Sequence, residues 1–239
     1  MTGWAARRFW KAAASAPAPG GHALMLDGRP VRTPARAPLV LPSRALADAV
    51  AAEWNAQQDR VRPETMPMTR LANAAIDRVI PAREEIAAAV AAYGASDLLC
   101  YRATRPQALA DRQAAAWDPV LAWARRRHGA RLRVQAGVIF APQPPESLAR
   151  LTAAVEALAP FPLAALHELV ALSGSLLLGL AVHERHLDPA TAWTLSRIDE
   201  DWQAEHWGRD AEAEAAAAAK RADFLLAARF LELVETPDD

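Results

Sequence analysis

Cysteine is almost missing from this sequence: Cys100 stands alone. No disulfide can form within the chain, so packing and hydrogen bonds must hold the fold, and a reducing compartment suits it. Lysine is nearly as scarce, with only Lys11 and Lys220, so arginine carries almost all the positive charge. An excess of either sign is lacking too, since the formal net charge is −1. That balance excludes a global field that would gather nucleic acid or an anionic membrane. Long apolar runs are also absent. The most apolar stretch, Leu169 to Val182, is interrupted by Ser173, Gly174, Ser175 and Gly179. It falls short of the ~20 residues that span a bilayer and reads as a buried core helix. Ahead of Ser15 no apolar segment reaches the length of an export signal.

The signatures of common chemistries are missing as well. No glycine-rich loop ends in Lys-Ser or Lys-Thr, and no GxGxxG occurs, so a phosphate cradle is not expected. His183-Glu184-Arg185-His186 spaces its histidines three apart beside Asp188–Pro189, whereas two zinc ligands on one helix face need a separation of four. Ser173-Gly174-Ser175 lies in the apolar stretch and not on a strand-turn-helix elbow. Cys100 follows two leucines, as a buried apolar residue would. Arg125-Arg126-Arg127 closes a helix, where cations complement the helix dipole, and it lacks the interleaved aromatics of a nucleic-acid platform. The expectation is therefore no catalytic residue, no metal and no cofactor.

What is present divides the chain in two. The 239 residues suffice for one large domain or two small ones. Prolines at 17, 19, 30, 34, 38 and 42 punctuate the first forty residues and argue for strands and turns. His22–Leu26 runs into Asp27–Gly28, a hairpin turn pair, and Leu39–Leu41 is a further short strand. A small curled sheet is expected. Helical period starts at Ser43, a plausible N-cap, with Leu46, Val50 and Trp54 on one stripe. Trp54 is expected to pack the first helix on the sheet. Thr69 reads as the cap of a second helix. From Pro81 onward the pattern is helical: a stripe of Ile86, Val90 and Tyr93 ended by Gly94, and a helix from Asp118–Pro119 to Gly129. Further on, Asp188–Pro189 opens a helix carrying Leu195, Ile198 and Trp202 as far as Gly208, and a last helix runs from about Asp210 to Leu233. Val134–Phe140 is either a strand or an extended connector. The fold class is α+β: a small N-terminal α/β domain over residues 1–80, then an orthogonal helical bundle over 81–239.

Two features survive as candidates for function. Tryptophan is frequent, and Trp54, Trp117, Trp123, Trp193, Trp202 and Trp207 all fall in helical context. The sequence Asp199, Glu200, Asp201, Trp202, Gln203, Glu205, Trp207 and Asp210 then interleaves carboxylates with aromatic anchors. Such a patch is either an ordinary solvated face or a docking surface for a basic or amphipathic segment.

The order and spacing of many short segments resembles a known family, the assembly chaperones for the catalytic head of the F-type ATP synthase that act on its alpha subunit. The segments are Arg8-Phe9-Trp10-Lys11, Leu26-Asp27-Gly28-Arg29-Pro30-Val31 with Thr33-Pro34, and Glu53-Trp54-Asn55-Ala56-Gln57. Next come Met66-Pro67-Met68-Thr69, Leu71-Ala72-Asn73 and Ile76-Asp77-Arg78. Asp97-Leu98-Leu99-Cys100-Tyr101-Arg102, Trp117-Asp118-Pro119 and Ser173-Gly174-Ser175 come after these. The last block is Ser196 to Gln203 with Trp207-Gly208. The resemblance implies a non-enzymatic chaperone without nucleotide or metal that binds free alpha subunit until the beta subunit replaces it. It implies no nucleic-acid partner and no membrane insertion. The matching region starts almost at the first residue, so a bacterial, cytoplasmic member is expected; a eukaryotic one would sit in the mitochondrial matrix. The competing readings are an adaptor for some other protein and a hydrolase.

Overall fold

Proline and glycine at fixed places turn the first forty residues into a sheet. The structure is a computed structural model and describes residues 7–208 and 210–238. Strands β1 (Ala13–Ala18) and β2 (Gly21–Leu26) pair antiparallel from Ala13↔Leu26 to Ala18↔Gly21. Pro19 and Gly20 make the turn, with Gly20 at φ +86°, the positive value a type II turn needs at that position. A Cβ on Gly21 would lie 2.1 Å from the Leu41 carbonyl oxygen. Only glycine lets β4 (Val40–Leu41) approach β2 so closely. The expected hairpin turn is present: Asp27 and Gly28 take φ +46° and +79° between β2 and β3 (Arg29–Pro30), the two-residue loop whose twist matches the strands. The Asp27 carboxylate also accepts from the backbone N–H groups of Ala12 and Lys11, at 2.9 and 3.0 Å. Those bonds favour the charged form and lower its pKa.

Helix α1 (Arg44–Asn55) starts where Ser43 accepts from Leu46 N. Leu46 and Val50 are fully buried, and α1 lies on β1 and β2. Trp54 is half-buried and packs on Trp10 with ring centroids 5.0 Å apart. Thr69 does not cap the second helix. Helix α2 (Pro67–Ala74) begins after Met66, and the capping group comes from α1 instead. Glu53 accepts from the backbone N–H groups of Met68 (2.7 Å) and Thr69 (2.8 Å) and from the Thr69 hydroxyl. Asn55 braces both backbone groups of Ala13 at 2.8 Å. Arg8 donates to the carbonyls of Trp10, Lys11, Asn55 and Gln57. A π-helical stretch, Ala75–Val79, succeeds α2, and its Asp77 accepts from the Thr33 hydroxyl and from Ala35 N.

These elements belong to one compact unit, which takes in residues up to Arg83, Ala159–Ala165 and residues 229–238. The second unit comprises Glu84–Leu158 and Leu166–Ala228. Its helices are α3 (Arg83–Ala92), α4 (Gln107–His128), α5 (Pro145–Glu156), α6 (Pro160–Ser173), α7 (Leu176–His183), α8 (Pro189–Ser196), α9 (Ile198–Trp207) and α10 (Ala211–Glu235); α3, α6 and α10 also give residues to the first unit. A two-residue parallel pair joins β5 (Tyr101–Arg102) to β6 (Gln135–Ala136). Among the described residues no helix is long and apolar enough to cross a membrane.

Several helix boundaries differ from the expectation. Gly94 does not end α3 in a left-handed residue. The chain continues into a 3-10 turn, Tyr93–Ser96, and Gly94 is buried where a Cβ would meet Leu148, Leu151 and Leu176. Asp118–Pro119 does not open a helix either. Pro119 lies inside α4, removing the ladder bond that Ala115 would accept, and Gly129 at φ +69° closes α4 as expected. The stretch Leu169 to Val182 is two helices, not one. Gly174 at φ +71° ends α6, and Ser175 caps α7 by accepting from Leu178 N at 3.0 Å. Fully buried Asp97 joins that cap. Its carboxylate accepts from Leu99 N (3.0 Å), Ser175 Oγ (2.8 Å) and Leu177 N (3.0 Å). Burial still outweighs these bonds and pushes its pKa up to about 6. Cys100 is buried as expected, and burial raises its thiol to about 12.

Candidate functional site

The acidic and aromatic block expected to carry function falls on α9 and on the start of α10, within the second unit. Its helix is shorter than the sequence suggested. The chain breaks at Arg197 (φ −108°, ψ 6°), so Leu195 belongs to α8 while Ile198 and Trp202 belong to α9. The first turn of α9 then begins with Asp199, Glu200 and Asp201, three carboxylates at the positive end of the helix dipole. Part of the acid density is thereby explained by the helix itself.

The individual side chains separate further. Asp199 is half-buried and accepts from the amide of buried Gln113 on α4, at 2.5 Å. Glu200 pairs with Arg197 at 2.7 Å. Glu205 takes Arg112 of α4 in a forked contact, with distances from 2.8 to 3.1 Å, the arrangement a planar guanidinium makes with a carboxylate. Trp202 is half-buried and stacks on His206 at 4.1 Å. Asp199 and Glu205 therefore tie α9 to α4, while the Trp202 stack lies within α9 itself. Gln113 and Arg112 were not legible as partners in the sequence, since they lie more than eighty residues away.

Asp201, Gln203, Trp207 and Asp210 are exposed, and so are the ion-paired Glu200 and Glu205. Trp207, at 79% exposure, is an unusually bare tryptophan. Asp210 caps α10 by accepting from Glu212 N at 3.0 Å. Between α9 and α10 lies an open groove of about 580 Å³. Carboxylates of Glu200, Asp201, Glu205, Asp210 and Glu214 border it, Arg197 is the one cation among its described residues, and Ala204, Trp207, Ala213 and Ala217 form its apolar part. The α10 wall is bare: from Ala211 to Asp223 every residue but Ala217 is exposed. The groove brings together carboxylates and an indole. Among the described residues no cluster of His, Cys, Asp and Glu could hold a metal ion.

The other residues singled out in the sequence sit elsewhere. Asp27, Gly28 and Trp54 are in the first unit, at the turn and the α1 packing already described. His186 stacks on Trp123 at 4.9 Å, and Arg127 and His128 meet Glu184 at 2.5 and 3.2 Å.

The class of protein to which this fold belongs is the chaperones. A family model described as ATP12 chaperone protein matches residues 7–125. The Atp12 crystal structure from Paracoccus denitrificans superposes with a TM-score of 0.94 at 50% identity, covering 96% of this chain and 99% of that one. A point mutant of that protein matches equally well. A candidate chaperone from Agrobacterium tumefaciens gives 0.91 at 43% identity, covering 96% of this chain and 86% of that one. The chain belongs to the ATP12 chaperone family, the non-enzymatic ATP synthase assembly factors that its sequence resembles.

Proposed function

We propose that this chain binds the free alpha subunit of the F-type ATP synthase head and masks the surface that later meets the beta subunit, in the cytoplasm of a bacterium. An unassembled subunit exposes an interface resembling a halved core, which self-associates unless covered. The observation that carries the reading is the α9–α10 groove, where exposed Trp207 stands among carboxylates on a bare helix. Trp207 supplies an apolar anchor, while Asp201, Glu200 and Asp210 attract a basic or amphipathic segment and speed its encounter. Asp199 and Glu205 serve the same surface by fixing α9 to α4, Trp202 stacks on His206 within that helix, and Gln203 faces the groove beside them.

The test mixes the purified protein with alpha and beta subunits separately and monitors binding and aggregation. Alpha is expected to bind and stay soluble; binding to neither, or preference for beta, refutes the reading. Within it, Trp207→Ala and the pair Glu200→Gln with Asp201→Asn should melt like the parent yet protect alpha poorly. Full protection by both at low and moderate salt would mean that α9 is only a solvated helix.

A further inference from the structure

A second surface of opposite sign lies in the same unit, where α4 ends. Gly129 turns the chain out of α4, and residues 130–134 then run back as an extended strip. Two buried side chains pin that strip. Gln143 pairs with Arg133 like a strand partner, accepting from its N–H at 2.7 Å and donating to its carbonyl at 3.0 Å. Ser147 treats Arg131 the same way, at 2.9 and 3.2 Å. Between strip and helix lies an open groove of about 570 Å³, lined by Arg125 and Arg126 from α4 and by Arg131, Leu132 and Val134 from the strip. Its one carboxylate, Asp118, is engaged by Arg102 at 2.8 Å. Among the described residues, Arg125, Arg126 and Arg131 meet no carboxylate, and all three are exposed.

The dipole of α4 accounts for cations in its last turn, but not for Arg131 beyond it, nor for the bare apolar loop next to the groove. Val134 is 49% exposed, and past the short β6 the chain turns at Gly137 (φ +84°) into Val138, Ile139 and Phe140, exposed by 95%, 76% and 63%. Three consecutive large apolar side chains in water mark an interaction site more often than a solvated loop. We infer that this groove and its apolar loop dock an acidic segment of another protein, one carrying carboxylates for the three arginines and an apolar side chain for Val138–Phe140. The groove's free charge is entirely positive, and guanidinium forks match carboxylates. With Phe140 its only exposed ring, the loop offers no stacking platform for bases. This docking surface is distinct from the α9–α10 groove and does not depend on the alpha subunit being the partner.

The experiment uses the buried Cys100. Because that thiol is sheltered and its pKa is raised, Ile139→Cys introduces the one site that a benzophenone maleimide labels at neutral pH. The labelled chain is photolysed with alpha subunit and, separately, with a fluorescent peptide of alternating Glu and Leu. A crosslink from position 139 that maps to an acidic segment supports the inference. So does a loss of peptide affinity of about tenfold or more at low salt in the triple variant Arg125→Glu, Arg126→Glu, Arg131→Glu. If alpha does not bind but the peptide does, and the triple variant loses the peptide, the docking surface stands and the proposed function fails. Alpha binding with no crosslink at position 139 and no peptide affinity overturns the docking surface and leaves the proposed function intact. A crosslink to a second copy, loop-dependent binding to phosphatidylglycerol vesicles, or salt-sensitive retention on DNA likewise overturns it. Melting curves of the variants establish that each is folded.

Discussion

Replacing Ser175 with alanine removes two interactions of different kinds, and pH separates them. As the cap of α7, Ser175 accepts from Leu178 N, a role whose loss costs about 1 kcal/mol at any pH. Its hydroxyl also donates to buried Asp97, and a hydrogen bond to a charged group contributes roughly 1.5–3 kcal/mol. The second part matters only when Asp97 is ionised. Burial raises Asp97 from 3.8 to about 6, a rise equivalent to about 3 kcal/mol. A carboxyl whose folded pKa lies above its unfolded value contributes stability below the unfolded pKa. That contribution is lost as pH climbs through the folded one, here between 3.8 and about 6. Ser175→Ala deletes a bond that favours the charged form, so the folded pKa moves higher and the loss continues to higher pH. Urea unfolding monitored by tryptophan fluorescence should therefore show a destabilisation of about 1 kcal/mol at pH 5 and about 3 kcal/mol at pH 8. In a chain of this size the latter corresponds to a fall in melting temperature of roughly 6–12 °C. Equal losses at the two pH values would mean that Asp97 is not coupled to Ser175 and would refute the reasoning.

Three further outcomes rest on single contacts. Gly21→Ala should destabilise by about 2 kcal/mol or more in thermal melting, because the added methyl meets a backbone oxygen that cannot rotate away. Trp54→Ala should cost about 2–3 kcal/mol, less than the 3–5 kcal/mol of a fully buried tryptophan, because the ring is only half-buried against Trp10; a change below 0.5 kcal/mol in urea titration would place it outside the packing. Arg112→Ala should lower stability by no more than about 1 kcal/mol, since its contact with Glu205 is exposed. The same variant should raise amide exchange along α9, and unchanged exchange would show that Arg112 does not hold that helix.

Local rules were legible where a single residue's geometry decides the outcome. Asp27–Gly28, Ser43, Gly129, Asp188 and Gly208 all stand where turn and cap chemistry put them. The expectations that failed needed a partner distant in sequence. Thr69 looked like a cap, but Glu53 reaches α2 from another helix. Pro119 looked like a helix start, but α4 continues through it, and Trp117 just before it is fully buried with its indole bound to Leu195 O at 2.8 Å. The apolar stretch from Leu169 reads as one helix because apolar residues resume directly after Ser173-Gly174-Ser175, whereas the positive φ of Gly174 breaks it. β1 escaped notice because alanine and proline carry little strand propensity; only its pairing with β2 makes it a strand. The acidic block was legible as a block, but not that Asp199 reaches buried Gln113 or that exposed Glu205 forks with Arg112.

The first unit is assembled from both ends of the sequence, and this constrains the order in which the protein is built on the ribosome. Residues up to Arg83 emerge early, yet the unit closes only later. Ser43 Oγ donates to Leu233 O at 2.5 Å, Arg44 N donates to Asp238 at 2.7 Å, His22 meets Asp238 at 2.7 Å, and Phe161 stacks on Phe230. Emergence proceeds at about 5–20 residues per second, so the sheet and α1 wait for on the order of ten seconds or more with these partners missing. The second unit's residues, ending at Ala228, are all synthesised before that closure. A nascent chain stalled before Arg229 would thus carry an unclosed sheet, and emergence of residues 229–238 is the step that seals it.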